Sequence, residues 1–335
     1  MDKVLVLGGA GFIGYHLLER LVREGGHQIT VVDNLSRGQM DADLTNVLES
    51  NPQIKLITVD LTDPLSFRQL NGPFDHVYLF AGIVGVRNVV SNPTRVVNSN
   101  TKIVINTLDW IDQVGCGRLF YASTSEAYGG MVDLDVVPVP TPENVPLGVV
   151  DILNPRSTYA LTKMLGEAAV IHQSASSGFA AVIVRYHNIY GPRMGFDHVI
   201  PEIFQRLFDH VDPMPVYGME QTRAFCYVSD AAEATLRLMN NTLPGCEIVH
   251  LGNDREETTI RNLFDKMLAV TGANPVVQEL DAPVGAVNRR CPDTGKLRKL
   301  TGFEPAVGLD LGLELTWRWY QGWLEQAQQT AKLKR

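Results

Sequence analysis

The sequence predicts an α/β fold, a doubly wound parallel sheet with a smaller C-terminal lobe, and three observations carry that expectation. Short β-branched apolar runs alternate with longer stretches of helical period through the first half of the chain, the pattern of repeated β-α-β units. The first run passes through a glycine-rich turn straight into a helical stretch. The 335 residues, 45% hydrophobic and 20% charged, give the balance of a packed globular chain with length for one large sheet domain and an appended lobe.

Taken in order, the expected strands are Val4–Leu7, Gln28–Val32, Ile54–Val59, His76–Phe80, Arg118–Ala122 and Ala181–Arg185, each a short apolar run. Between them lie helical stretches at Phe12–Arg23, Pro64–Leu70, Thr94–Val114 and Ser157–Ser174, which supply the crossovers that parallel strands require. Pro138, Pro140, Pro142, Pro146 and Pro155 block regular structure from Val136 to Pro155, so this stretch reads as a long surface loop before a helix. Loops of that length in compact domains tend to be functional. After Arg185 the alternation weakens, with Gly191–Arg193, Pro213–Pro215 and the late segment Asp281–Pro305 marking a second lobe. The expected division is a Rossmann-type domain over 1–188, with 224–252 returning to it, and a lobe over 189–223 and 253–330.

Several classes fall away on composition. The net charge of −8 and the lack of a basic run before Lys332, Lys334 and Arg335, read as a solvated tail, argue against a nucleic-acid partner. Cys116, Cys226, Cys246 and Cys291 form no paired motif and have no accompanying histidine spacing, so neither a metal site nor a disulfide framework is expected. Val4–Leu7 is too short for a signal-peptide core and no later run reaches bilayer length, which leads to the expectation of no membrane partner and a cytoplasmic location. Trp317, Trp319 and Trp323 read as helix-packing aromatics, and His187 and His198 as packing or hydrogen-bonding residues.

Gly8, Gly11 and Gly14 follow the first strand and open the first helix. Such glycines give a tight turn, bring backbone N–H groups to a pyrophosphate and let helix and strand approach closely. Asp33 closes the second strand where a carboxylate accepts hydrogen bonds from the adenine-ribose hydroxyls, and it would repel a 2′-phosphate, so NAD is favoured over NADP. Asp60 and Leu61 follow the third strand and flank the expected adenine position. Tyr159 and Lys163 stand four residues apart on a helix and share a face. A phenol with a pKa near ~10 becomes a usable base where an adjacent ammonium stabilises its phenolate.

In these residues and their surrounding motifs the sequence resembles the extended short-chain dehydrogenases that act on nucleotide sugars, a group that includes hexose 4-epimerases, 4,6-dehydratases and UDP-glucuronate decarboxylases. The likeness runs through Gly8–Gly14, Asp33–Gly38, Tyr121–Gly129, Tyr159–Lys163, Arg185–Met194, Gln221–Asp230 and Arg289–Asp293. It implies an NAD enzyme that transiently oxidises a sugar, typically at C4. Tyr159 would take the hydroxyl proton, Thr124 would bond the same oxygen and Lys163 would hold the ribose. The cofactor set it implies also takes in Phe12, Ile13, Asn34, Ala81, Gly82 and Asn100.

Glu126 matches the position where related dehydratases and decarboxylases place a glutamate near C5. Ser125 stands where dehydratases have an aspartate, so dehydration is disfavoured. Ser123–Glu126, with the segments at Gly191 and Gln221, resembles UDP-glucuronate decarboxylases most, whereas Ala81–Pro93 looks more like the matching loop of epimerases. Decarboxylation of UDP-glucuronate is therefore the leading expectation. A UDP-sugar 4-epimerase or C5 epimerase, a 4-dehydrogenase releasing a keto sugar, and a non-catalytic NAD-sensing protein stand as alternatives. The resemblance assigns Arg223, Arg290 and Asn188 to a UDP-linked substrate in the second lobe, with Arg193 and Arg289 in reserve, and implies a homodimer through Thr94–Val114 and Ser157–Ser174.

Overall fold

The computed structural model describes residues 1–282 and 286–333. Along the first half lie β1 (Asp2–Leu7), α1 (Phe12–Glu24), β2 (His27–Asp33), α2 (Ala42–Ser50), β3 (Ile54–Thr58), β4 (Phe74–Leu79), α3 (Val86–Ser91), α4 (Pro93–Val114), β5 (Cys116–Thr124), α5 (Gly129–Asp133), α6 (Ser157–Ser177) and β6 (Ala180–Tyr186). The strand Cys246–Leu251 pairs with β6 and completes a seven-stranded sheet ordered β3, β2, β1, β4, β5, β6, Cys246–Leu251. Every neighbouring pair is parallel. The order reverses between β1 and β4, which opens a crevice beyond the strand C-termini.

The strands are apolar on both sides because both faces are covered. On one face Leu17, Leu18 and Leu21 of α1 pack with Val4, Val6 and Val31. On the other, Ile103, Val104 and Leu108 of α4 and Val170 of α6 pack with Leu5, Leu7 and Val77.

Two local readings are corrected. Pro64–Gln69 is a 3₁₀ helix, started by the Asp63 carboxylate accepting from the Leu65 amide (2.9 Å) and ended by Leu70 N–H donating to the Phe67 carbonyl (3.0 Å). The helix α2 was not anticipated; one of its nine residues, Leu44, is fully buried, so its apolar period is faint, and Asp41 caps it by accepting from the Leu44 amide.

The proline-rich loop is stitched down. Thr141 N–H donates to the Cys291 carbonyl (3.0 Å), and Asp293 N–H donates to the Thr141 carbonyl (2.8 Å). Beyond β6, Thr222–Ala224 lies between Glu257–Thr259, antiparallel, and Arg289–Arg290, parallel, with Arg223 opposite Arg290 in register. In the last helix, Leu309–Leu333, Trp317 packs on Phe204 and Trp323 on Phe196. Lys332 belongs to that helix and not to a free tail. Residues 283–285 of the late segment, and Lys334 and Arg335, lie outside the described residues.

Candidate active site

The crevice at the strand reversal carries the glycine turn. Gly8 has φ +84°, and a side chain there would bring its Cβ within 2.5 Å of the Ala81 nitrogen; a Cβ at Gly14 would come within 2.5 Å of the Gly8 carbonyl oxygen. The turn is thus packed on its own backbone and on the end of β4. The helix α1 begins at Phe12 with no side-chain cap, leaving its first amides for an anion. Phe12 and Ile13 are half-buried in that first turn.

Asp33 ends β2 beside the turn, accepting from Ala10 N–H (3.1 Å) and Leu35 N–H (2.9 Å). Burial raises its pKa, and these amides oppose the rise. Asn34 accepts from Ser36 N–H at 3.0 Å. Asp60 is exposed and accepts from Thr62 N–H (2.9 Å), whereas the Leu61 side chain lies in the core with Phe67 and Leu79. Asn100 uses its amide on the chain itself, accepting from Ile83 N–H (2.7 Å) and donating to the Ile83 carbonyl (3.0 Å). It therefore holds the loop carrying Ala81 and Gly82 instead of projecting into the crevice. The bare glycine turn and the carboxylate at the end of β2 fit NAD, with Gly8, Gly14 and α1 at the pyrophosphate and Asp33 at the adenine ribose.

The strand β5 and the helix α6 bring the reactive groups together. Thr124 is the last residue of β5 and its hydroxyl accepts from the Glu126 amide at 3.2 Å. Tyr159 lies in the first turn of α6, and Lys163, one turn on, is buried and donates to the Ala122 carbonyl at 2.7 Å. The Lys163 ammonium stands 5.9 Å from the centre of the Tyr159 ring. Burial pushes the Tyr159 phenol up to about 12, reinforced by the Glu126 charge and opposed by the Thr124 hydroxyl and the Arg37 guanidinium. Burial also brings Lys163 down to about 8, opposed by Glu167.

A charged cluster faces this pair. Arg290 donates to Glu126 Oε1 at 2.7 Å. Burial alone would raise the Glu126 pKa, but Arg290, aided by Arg156 and Arg223, holds it below the usual carboxylate value. Burial and the neighbouring Arg290 bring Arg223 down to about 10. Arg223 is oriented by donating to the carbonyl of Thr222 at 2.7 Å and to that of Val287 at 2.5 Å. Ser125 is buried in the turn between Thr124 and Glu126.

Not every expected residue joins the cluster. Arg193 is corrected: its guanidinium pairs with Asp41, donates to the Ala10 carbonyl (3.3 Å) and stacks 4.0 Å from the Tyr15 ring, so it braces the glycine turn. Asn188, at φ +42°, donates to the Ala224 carbonyl at 3.2 Å and so joins the end of β6 to the strand of Arg223. Arg289 pairs with Glu257 at 2.8 Å on the surface. His187 is fully buried against the Tyr128 hydroxyl, 2.8 Å away. Arg156 and Asp133 were missed: both share the electrostatic surroundings of Glu126 and Arg223, and no motif in the sequence marks either.

Comparison with known proteins bears on the family and the fold. A model of the NAD-dependent epimerase/dehydratase family matches residues 4–252. The chain is 32% identical over 329 residues to a UDP-N-acetyl-alpha-D-glucosaminuronate decarboxylase of Bacillus cytotoxicus, covering 95% of this chain and 98% of the relative. It is 32% identical over 330 residues to UDP-glucuronic acid decarboxylase 1 of Xenopus tropicalis, covering 96% and 73%. The UDP-glucose 4-epimerase of Thermus thermophilus, solved with NAD, superposes with a TM-score of 0.81 at 27% identity over 96% of this chain and 99% of that one.

Proposed function

Because the chain belongs to the NAD-dependent epimerase/dehydratase family, we propose that it decarboxylates a UDP-linked hexuronate by transient oxidation at C4, with UDP-glucuronate as the leading substrate. The observation that carries this reading is Glu126, fixed by Arg290 within the electrostatic reach of Tyr159 and flanked by Arg156 and Arg223. Two relatives named as decarboxylases, each about a third identical, support it. Their named substrates share a hexuronate and differ in the N-acetyl group.

NAD, when bound, supplies the two-electron acceptor for C4 of the sugar. Tyr159 takes the proton of the C4 hydroxyl, with Thr124 bonding the same oxygen and Lys163 stabilising the phenolate. The ketone so formed lies β to the C6 carboxylate. The electrons of the C5–C6 bond then move toward the C4 carbonyl as carbon dioxide leaves, and water protonates C5. Glu126, held ionised by Arg290, orients that water beside C5. Tyr159 returns its proton when the ketone is reduced. Arg223 and Arg290 present forked donors suited to a diphosphate or a carboxylate.

The same proposal divides the chain into a cofactor part, 1–188 with 224–252, and a sugar-nucleotide lobe, 189–223 with 253–330. A homodimer formed through α4 and α6, and a cytoplasmic location, complete it. No helix among the described residues is long and apolar enough to cross a membrane, and the four cysteines are free thiols. The test is incubation of the purified protein and NAD with UDP-glucuronate and, separately, UDP-N-acetylglucosaminuronate, followed by proton NMR. Loss of the carboxylate to give a UDP-pentose from either is the expected result, and the active substrate identifies the C2 substituent. A C4-inverted product of unchanged mass would overturn decarboxylation in favour of epimerisation.

A further inference from the structure

The catalytic lysine stands next to a buried ion pair that the reaction itself does not employ. Glu167 follows Lys163 by one turn of α6, so Tyr159, Lys163 and Glu167 form one stripe along the helix. The Glu167 carboxylate accepts from Ser123 Oγ (2.5 Å), from Arg185 Nε (2.9 Å) and from Arg185 Nη2 (2.7 Å). Both members of the pair are 2% exposed. Three consecutive residues of β5 thus each meet one residue of the stripe: Ala122 receives the Lys163 ammonium, Ser123 binds Glu167, and Thr124 lies beside Tyr159.

A buried charged pair is costly to assemble and is weak evidence for stability alone, so its position beside Lys163 calls for another account. We propose that Glu167, locked in place by Arg185 and Ser123, is a positioning residue that keeps Lys163 protonated and aimed at Tyr159 during the proton transfer. This rests on the reading of Tyr159 as the base.

Two groups ionise in sequence at this site. With Lys163 brought to about 8 and Tyr159 pushed to about 12 by burial, the lysine loses its proton before the phenol does, and a neutral lysine cannot stabilise a phenolate. The groups facing Lys163 are the Tyr121 ring (5.0 Å) and the Ala122 carbonyl from β5, Tyr159 and Glu167 from α6, and neutral Asn100 of α4 beyond Gly82. Arg185 of β6 lies behind Glu167. Burial pulls the Lys163 proton off, and the Glu167 carboxylate opposes that loss.

The experiment compares wild type with Glu167→Gln and Glu167→Asp as NAD-loaded protein. The Lys163 side chain is titrated without sugar, by NMR of lysine labelled at the ε-carbon with Lys163→Met as the assignment control, and the pH profile of kcat is then measured with substrate. Glu167→Gln is expected to lower both the Lys163 titration and the alkaline fall of kcat by about one pH unit, because the buried carboxylate one turn away no longer opposes loss of the ammonium proton. With the limb displaced by about one unit from about 8, kcat drops about twofold near neutral pH and about tenfold above about pH 9, while KM changes less than about twofold. Glu167→Asp keeps the charge and is expected to restore the wild-type limb.

If Glu167→Gln folds and leaves both the Lys163 titration and the alkaline limb unchanged, the proposal is overturned, even if turnover falls. If Glu167→Gln does not fold, Ser123→Ala replaces it: removing one of three bonds to the carboxylate should shift the limb in the same direction by less, and no shift overturns the idea. The lysine titration needs no sugar, so a wild type inactive on hexuronates would sink the proposed reaction and leave this test standing.

Discussion

Tyr159 meets its neighbours through one oxygen, so Tyr159→Phe removes the proton acceptor and little else. Turnover should fall by about 10²–10⁴-fold, with NAD affinity and thermal stability close to wild type; a Phe variant with full turnover in a coupled assay would end the C4 oxidation mechanism. Lys163 carries a stability signature of its own. An exposed lysine titrates near ~10.4 in the unfolded chain, whereas burial brings it to about 8 in the fold. Between these two values the unfolded chain binds the extra proton, so stability rises with pH through that window, by about 1.4 kcal/mol for each unit of separation. Below about pH 8 both states are protonated and the penalty of burying the ammonium is constant. Urea titrations at a series of pH values should show this rise in wild type and not in Lys163→Met. Arg290→Met leaves Glu126 without its hydrogen-bonded partner; KM should rise about tenfold or more, and steady-state kinetics that leave KM untouched would remove Arg290 from the substrate site.

Elements were legible where their signal was local. The glycine turn announces itself because only residues without a side chain fit between β1 and β4: Gly8→Ala would force a Cβ to 2.5 Å from the Ala81 nitrogen at φ +84°. Calorimetric titration of that variant should show NAD binding weakened about tenfold or more, and unchanged affinity would argue that the cofactor lies elsewhere. All six strands expected from apolar runs are present, because parallel strands covered on both faces are apolar throughout. The seven-residue helix expected over Pro64–Leu70 closed as 3₁₀ over Pro64–Gln69, being too short for its spacing to tell the two helix types apart, and α2 gives too faint an apolar period to be expected. At the site the same rule holds. Thr124, Tyr159 and Lys163 sit on regular elements whose spacing is visible in the sequence, whereas Arg156 and Asp133 come to Glu126 from the loop ahead of α6 and the short helix α5. Arg193 resembled its neighbours by motif, yet its left-handed backbone, φ +65°, is accompanied by a side chain set on Asp41 and Tyr15, which spacing does not reveal.

At the scale of the molecule, α4 and α6 pack side by side on the sheet and turn apolar side chains outward. Val97 and Ile105 of α4 and Leu165 of α6 are 40%, 39% and 48% exposed, on the helices whose opposite faces cover the core. Leu165 lies two residues from Lys163, so whatever covers it also steadies the helix that carries the base. A second copy meeting this face through its own α4 and α6 would bury the patch by twofold symmetry, and a stable interface of this kind removes about 1,600 Å² from water. Sedimentation of the wild type at micromolar concentration should therefore give a dimer, and Ile105→Asp with Leu165→Asp should give a monomer. The monomer is expected to lose thermal stability, and its kcat should fall more than its KM rises, because the loosened element is the helix of Tyr159 and Lys163 and not the arginine-bearing lobe. A wild type that sediments as a monomer would show that this face is not a dimer interface, and the apolar residues on it would then need another partner.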